Sequence, residues 1–334
     1  RWLRAINVRT WSCQNMREKL CLVTGGAGFI GSNLVDELIE RENKLIVIDS
    51  LISSTEEYIR PHIDSGDCRF INGDIRDEDM LSEIEDPVDF IFHLAADPDV
   101  KTSVETPIVS FSHNVRGTLN ILELARRLEV KGFFFASSGG TLYGDVDEFP
   151  ITESTLLKPI SPYGASKAAG EMYISAYANA YHIRSASGRY ANIFGERSTH
   201  GVSYDFYHKL KVNPEELTIL GDGMQQKSYL HVSDCVDATI AIADNLENQK
   251  KWYDYYNVGS KEWIQVKKIG RIIEDEMGLE DVEHKYTGGK KGWVGDVHKM
   301  LLSIERLENL GWEPKLSFKE SMHRYIKWLE ETGK

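Results

Sequence analysis

The chain has 334 residues, 41% apolar and 27% charged, a balance that excludes a disordered chain and suits one large domain or two intimate ones. Its formal net charge of −13 disfavours nucleic acid and anionic membrane as extended partners, which leaves small molecules and a local basic pocket for a phosphate ligand. No apolar run approaches the roughly 18–20 residues that cross a bilayer, and Cys13, Cys21, Cys68 and Cys235 are scattered without metal or redox spacing; a soluble, cytoplasmic protein is expected, with no role for its cysteines.

Residues 1–16 read as an extension outside the fold, because Arg1, Arg4 and Arg9 occur there without an acidic residue and regular alternation starts only at Leu20. A transit-type presequence is the alternative. Residues 20–24 then form a short apolar strand, followed by a glycine turn, a helix over 32–40 and a second strand over 44–49, a β-α-β unit. Further strands are predicted over 68–72, 89–94, 133–137 and 185–191, separated by helices that include 80–84, 108–128 and 162–182. Such alternation argues for an α/β fold with a doubly wound parallel sheet, covered by helices on both faces and joined by right-handed crossovers.

Past Gly195 the rhythm breaks into turn-rich sequence around Gly221-Asp-Gly223 and Gly288-Gly289, so residues 17–194 read as the main domain and 195–334 mainly as a smaller lobe. Helical patterns over 232–246 and 266–277, with a strand at 256–258, predict that this lobe interleaves with the main sheet.

Gly25-Gly-Ala-Gly28-Phe-Ile-Gly31 falls between the first strand and the first helix. Gly25 permits a tight turn, Gly28 lets backbone N–H groups approach a pyrophosphate, and Gly31 allows close helix packing, with the helix N-terminus facing the phosphates. The spacing departs from the common G-x-G-x-x-G form. Asp49 strengthens the reading, because it ends the second strand about 20 residues on, where a carboxylate accepts ribose hydroxyls and repels a 2′-phosphate. NAD is therefore favoured over NADP; helix capping is the alternative role for Asp49. Asp74, after the third strand, either meets the adenine edge or closes an Asx-type turn.

Tyr163-Gly-Ala-Ser-Lys167 sets a phenol and an ammonium four residues apart, on one face of a helix. A phenol of pKa about 10 is a poor base at neutral pH, but a neighbouring cation favours the phenolate. An ordinary surface pair is the alternative.

Taken in order, the glycine turn, Asp49, Asp74, His93-Leu-Ala-Ala96, and Tyr163 with Lys167 resemble the extended short-chain dehydrogenase/reductase family, over nearly everything from Lys19 onward. Ser137-Ser-Gly-Gly-Thr-Leu-Tyr-Gly144, Arg189-Tyr-Ala-Asn-Ile-Phe-Gly195, Lys227-Ser-Tyr-Leu-His-Val232 and Trp293-Val-Gly-Asp-Val297 are most similar to NDP-sugar 4-epimerases of the UDP-glucose 4-epimerase type. The resemblance implies a Rossmann domain that binds NAD through Gly25, Gly28, Phe29, Ile30, Gly31, Asp49, Ser50, Asp74, Ile75, Leu94, Ala95, Ala96, Asn114, Ser137, Tyr163, Lys167 and Tyr190. It implies that Tyr163 is the base and that Lys167 binds the nicotinamide ribose and lowers the tyrosine's pKa. Bringing that pKa near 7 takes about 4 kcal/mol, which Lys167 and the positive nicotinamide ring would supply.

The implied reaction inverts C4 of a nucleotide sugar through a transient 4-keto sugar, with Ser138, Thr141, Tyr163, Asn192, Lys227, Lys291 and Asp296 on the substrate. Lys227 stands where an arginine usually holds a phosphate, and Trp293 where many relatives carry another, for which Lys290 or Lys291 compensates; a solvated loop charge is the alternative for either lysine. Gly139 takes the place of the hydroxyl that usually assists the tyrosine, leaving Thr141, favoured, or Ser138. Dehydratases and decarboxylases of the family carry carboxylates in this loop, whereas Gly140-Thr141 offers none, so these activities are the alternatives and a silent NAD-binding regulator a distant one. In the family the equivalents of the helices over 108–128 and 162–182 pack as an intersubunit four-helix bundle, so the resemblance implies a homodimer; burial in the core is the alternative for their apolar stripes.

Overall fold

A computed structural model of the chain describes residues 16–289 and 297–334. Seven strands, β1 (Leu20–Thr24), β2 (Lys44–Asp49), β3 (Cys68–Asn72), β4 (Phe90–His93), β5 (Gly132–Ser138), β6 (Arg184–Tyr190) and β7 (Tyr253–Val258), form one sheet in the order β7-β6-β5-β4-β1-β2-β3. Every pairing in it is parallel. The chain builds outward from β1 to β3, then crosses back to β4 and builds the other way, so the strand order reverses between β1 and β4. A crevice opens at such a point beyond the carboxyl ends of the strands.

The apolar runs that made these strands legible are buried on both faces. Val23, Val47, Phe92 and Phe134 pack with Leu34, Val35 and Leu38 of α1 (Phe29–Glu40), whereas their neighbours Leu22, Ile46, Ile91, Phe133 and Phe135 pack with Ile121 and Leu122 of α2 (Gly117–Arg127) and Ile174 of α3 (Pro162–Tyr181). The alternation follows from the two-residue period of a strand. Helix α4 (Val232–Asp244) joins α1 on the first face through Val236 and Ile240. A smaller core of Phe194, Phe206, Leu217, Tyr229, Ile273, Met322 and Tyr325 forms the second lobe, and β7 returns from that half of the chain to pair with β6.

Four expectations change. Met16, assigned to the extension, is buried in the main core, with its N–H on Asp244 Oδ1 at 2.6 Å and its carbonyl accepting from Asn43 at 2.9 Å; residues 1–15 lie outside the described residues. The single helix expected over 108–128 is a short helix, Pro107–Ser110, then a π-helical turn, Phe111–Arg116, then α2. Its wide turn coincides with Asn114, whose amide is held on both sides by other elements, and π turns cluster where a side chain must be re-aimed. Helix α3 stops at Tyr181 because His182 takes the left-handed conformation, φ 58°. The turn-rich stretch past Gly195 still holds a helix, Val202–Val212, with Ser203, Phe206, Tyr207 and Leu210 buried on one face. Among the described residues no helix is long and apolar enough to cross a membrane.

Candidate active site

The chain leaves β1 through Gly25, at φ +71°, where a Cβ would lie 2.7 Å from the backbone nitrogen of Ala95. At Gly31 a Cβ would fall 2.0 Å from the carbonyl oxygen of Gly25, so both positions demand glycine. Gly28 is different: a Cβ there would stand 3.3 Å from the same oxygen, and its value is the open approach it gives to the start of α1. No side chain caps that helix, which leaves its first N–H groups for a ligand.

A cavity of about 830 Å³ runs from this turn to Tyr163, and all the expected cofactor contacts line it except Asn114. Asp49 does not cap a helix. Its Oδ2 accepts the Ala27 N–H at 3.0 Å and its Oδ1 accepts from the Leu51 N–H at 3.0 Å and the Ser54 hydroxyl at 2.7 Å, bracing the glycine turn at the cavity wall. Asp74 combines both of its expected readings: it lines the cavity and accepts from the backbone and guanidinium of Arg76, which holds its carboxyl below the usual range. Asn114 is buried, exchanging hydrogen bonds with the Asp97 backbone at 2.7 and 3.1 Å and donating to Ser166 Oγ at 2.9 Å. That is a brace behind the cavity. The chain leaves several buried polar atoms along the wall without an internal partner, among them Ser137 Oγ, Asp97 Oδ2 and Arg197 Nη1. A ligand rich in hydroxyl, phosphate and amide groups fits such a wall.

Helix α3 carries the dyad. Ser161 caps it by accepting from Gly164 N at 3.1 Å, and Pro162 occupies the first turn. Lys167 is no surface residue: it is buried, its Nζ donates to the Ala136 carbonyl at 2.8 Å, and it lies 5.9 Å from the Tyr163 ring centroid. Burial lowers its pKa to about 8, against the pull of Glu171 one turn further on. Behind it His93 is buried between Thr24 (2.7 Å) and Thr118 (2.9 Å), and burial pushes that imidazole down to about 3.

Tyr163 departs from expectation. The protein's own groups push its phenol up, to about 12, through burial first and the Asp97 charge second, while a hydrogen bond from Ser138 pulls the other way. The lowering foreseen from Lys167 is not among these influences; its ammonium lies 5.9 Å from the ring centroid and donates to the Ala136 carbonyl. The helper hydroxyl also differs: Ser138 meets the phenol, and Thr141, favoured in the sequence, stands one step back as a donor to Ser138 Oγ at 2.8 Å. The reason lies in the chain path, since Ser138 ends β5 and Thr141 is already inside the helical turn Gly139–Tyr143.

A second cavity of about 610 Å³ meets the first at Tyr163 and is lined by Ser138, Thr141, Asn192 and Lys227. Asn192 donates to the Ser228 carbonyl at 3.2 Å. Phe206, Lys209, Gln225 and Tyr229 complete the wall from the second lobe and were not foreseen; Gln225 had a signal in the Gly221-Asp-Gly223 turn beside it, Lys209 none. Lys290, Lys291, Trp293 and Asp296 lie outside the described residues.

Below the dyad is a polar network that sequence reasoning missed. Arg189 and Glu171 form a buried pair at 2.6 Å, Arg189 also donates to the Tyr143 hydroxyl at 2.8 Å, and Tyr143 donates to Asn257 Oδ1 at 2.8 Å. Asn257 lies on β7, donates to the Ile151 carbonyl at 2.9 Å and sends its N–H to Glu153 at 2.9 Å.

Residues 21–259 match the model of the NAD dependent epimerase/dehydratase family. A putative UDP-glucose 4-epimerase of Methanocaldococcus jannaschii is 36% identical over 94% of this chain and the whole of that relative. Among solved structures, a UDP-glucose 4-epimerase of Thermotoga maritima with UDP-glucose is 34% identical, with TM-score 0.85 over 94% of this chain and 100% of that one. A UDP-N-acetylglucosamine 4-epimerase of Methanobrevibacter ruminantium M1, in complex with UDP-N-acetylmuramic acid, is 29% identical, with TM-score 0.85 over 95% and 99%.

Proposed function

The chain belongs to the NAD-dependent epimerase/dehydratase family, and from that premise we propose that it inverts C4 of a nucleotide sugar, a UDP-hexose of the glucose/galactose type. Its cofactor is NAD, which supplies a hydride acceptor and donor at C4 when bound. The observation that carries the reading is the junction of the two cavities, where Tyr163, Ser138 and Thr141 form a hydroxyl relay and the segment from Ser137 to Tyr143 holds no carboxylate. Dehydration and decarboxylation lack the acid that the related enzymes place in that loop.

In this reading Tyr163 takes the proton of the sugar 4-OH, and the 4-keto sugar that results turns over before the same phenol returns the proton from Tyr163 to O4. Ser138 donates to the phenolate and is itself oriented by Thr141. Lys167 would hold a ribose of the cofactor, with Gly25, Gly28 and Gly31 at the pyrophosphate and Asp49 at the adenosine ribose. Asn192 and Lys227 anchor the diphosphate while the hexose moves, and Lys291 and Asp296 are assigned to the same nucleotide by resemblance. Exposed Ile108, Phe111, Met172, Tyr173 and Tyr181 on the helices around α2 and α3 support a homodimer through that face, which light scattering tests.

Incubating the purified protein with UDP-galactose and no added NAD is expected to yield UDP-glucose at constant mass. Loss of water or CO₂ from a substrate would overturn the reading, and conversion of only the N-acetylated sugars would move it to that substrate class.

A further inference from the structure

Asp97 stands beyond the carboxyl end of β4, in the loop that leads into the short helix Val100–Glu105. One of its carboxylate oxygens, Oδ2, is buried without a hydrogen-bond partner, and the residue lines the same cavity as Tyr163 and Lys167. Its position is fixed from both sides: the backbone N–H is held by Asn114 at 2.7 Å and the carbonyl by the same amide at 3.1 Å, and Asn114 is tied through Ser166 (2.9 Å) to the Tyr163 carbonyl (2.7 Å). An anion is thus clamped to the helix of the base; its Oδ1 accepts a long contact from the Asp99 N–H at 3.4 Å, and among the described residues no side chain donates to either oxygen. A buried carboxylate in that condition is costly unless something cationic or hydrogen-bonding meets it.

The other titratable groups on this stretch of the wall do not answer it. Asp99 is a second acid on its own loop, Lys167 on α3 donates to Ala136, Tyr163 is neutral until it acts, and His113 on the π-helical turn leaves both ring nitrogens without a partner. His200, from the second lobe, is pushed below its ordinary pKa by burial, and the other cations of the cavity, Arg197 and Lys334, are paired with Asp36 at 2.6 Å and Glu57 at 2.8 Å.

We infer that the Asp97 carboxylate is a fixed counter-charge that holds the bound cofactor toward its cationic form and Tyr163 toward its protonated one. The inference rests on the epimerase reading for its purpose but not for its test. NAD⁺ carries a cationic ring and NADH a neutral one, and that ring has to meet the sugar carbon whose hydroxyl Tyr163 serves. A fixed anion favours the cationic ring over the neutral one and the phenol over the phenolate at every stage, so it sets the level of both equilibria. Charge is conserved: phenolate and cationic ring both become neutral as the alcohol becomes a ketone, and Asp97 stays an anion throughout. The direction agrees with the upward push that Asp97 exerts on the phenol.

The test compares the holoenzyme with Asp97→Asn and Asp97→Glu. Without sugar, the midpoint potential of the bound cofactor is measured by equilibration against a mediator. Losing the anion is expected to weaken NAD⁺ against NADH about tenfold, a rise of about 30 mV for a two-electron couple. In turnover, the acid limb of the kcat profile is expected to move about one pH unit lower in Asp97→Asn, and Asp97→Glu is expected to keep both readouts near those of the parent. An unmoved potential in Asp97→Asn overturns the inference, as does a fall in turnover with an unchanged pH profile. A shifted potential in a protein that epimerises no sugar would leave the inference standing and remove the proposed function.

Discussion

The Thr141 hydroxyl donates to Ser138 Oγ across 2.8 Å, which leaves the Ser138 proton free to face the phenol of Tyr163. The two hydroxyls therefore act in series. Ser138→Ala is expected to lower kcat about 100-fold with NAD still bound, the scale seen when a donor to a developing oxyanion is removed. Thr141→Val is expected to cost only about 3–10-fold, the worth of one neutral hydrogen bond. Steady-state kinetics on both variants check the order, and equal losses would break the series.

Asp49 joins discrimination to architecture. Asparagine at this place removes the charge that repels a 2′-phosphate and turns an amide toward the Ala27 N–H, which sits at 3.0 Å from Oδ2. Asp49→Asn is expected to narrow the NAD-to-NADP affinity ratio at least about tenfold and to cost about 1–3 kcal/mol of stability from the unpaired donor. Calorimetric titration with each cofactor and a urea melt separate the two effects; an unchanged ratio would remove Asp49 from the ribose.

The Glu171–Arg189 pair is buried at 2.6 Å, so removing one partner strands the other. Glu171→Gln is expected to destabilise the fold by about 3–5 kcal/mol in urea. The double variant Glu171→Leu with Arg189→Met is expected to recover much of that loss, because a stranded charge costs more than an absent pair. If the double variant is no better than the single one, the pair owes its value to contacts beyond charge.

His93 makes stability pH-dependent. Its folded-state pKa, about 3, lies below the ordinary 6.5, so the unfolded chain binds the proton more readily between those values. Its contribution is full above pH 6.5 and is lost as pH falls toward 3. Urea midpoints from pH 7 to 4 are expected to fall more steeply in the parent than in His93→Gln, and parallel curves would mean the imidazole does not carry the effect.

Much of this was legible in the sequence because strand and helix leave periodic traces. The runs at Leu20–Thr24 and Lys44–Asp49 are buried almost throughout and their apolar continuity marks them, whereas Cys68–Asn72, at the sheet edge, exposes Arg69 and Asn72 and is marked by its place in the alternation. The glycines are equally plain, since Gly25 and Gly31 answer to steric demands that no other residue meets. What the sequence hid was direction. Ser138 and Thr141 are three residues apart, and only the end of β5 decides which hydroxyl reaches the phenol. Asn114 reads as a cofactor contact until the π-helical turn rotates its amide onto Asp97 and Ser166. Asp97 had no pattern at all, because its importance is electrostatic and arises between segments distant in the chain.

The return of β7 to the edge of the sheet constrains how such a protein diversifies. Asn257 on that strand holds Tyr143 and Ile151, the segment that leads away from the Ser138 and Thr141 hydroxyls, so part of the catalytic floor is encoded beyond the first substrate-lobe residues. Recombination that exchanged everything after Gly195 as a cassette would import a foreign edge strand and unseat that floor. The cavity wall itself, at positions such as Phe206, Lys209 and Gln225, can change by single substitutions without disturbing that edge strand.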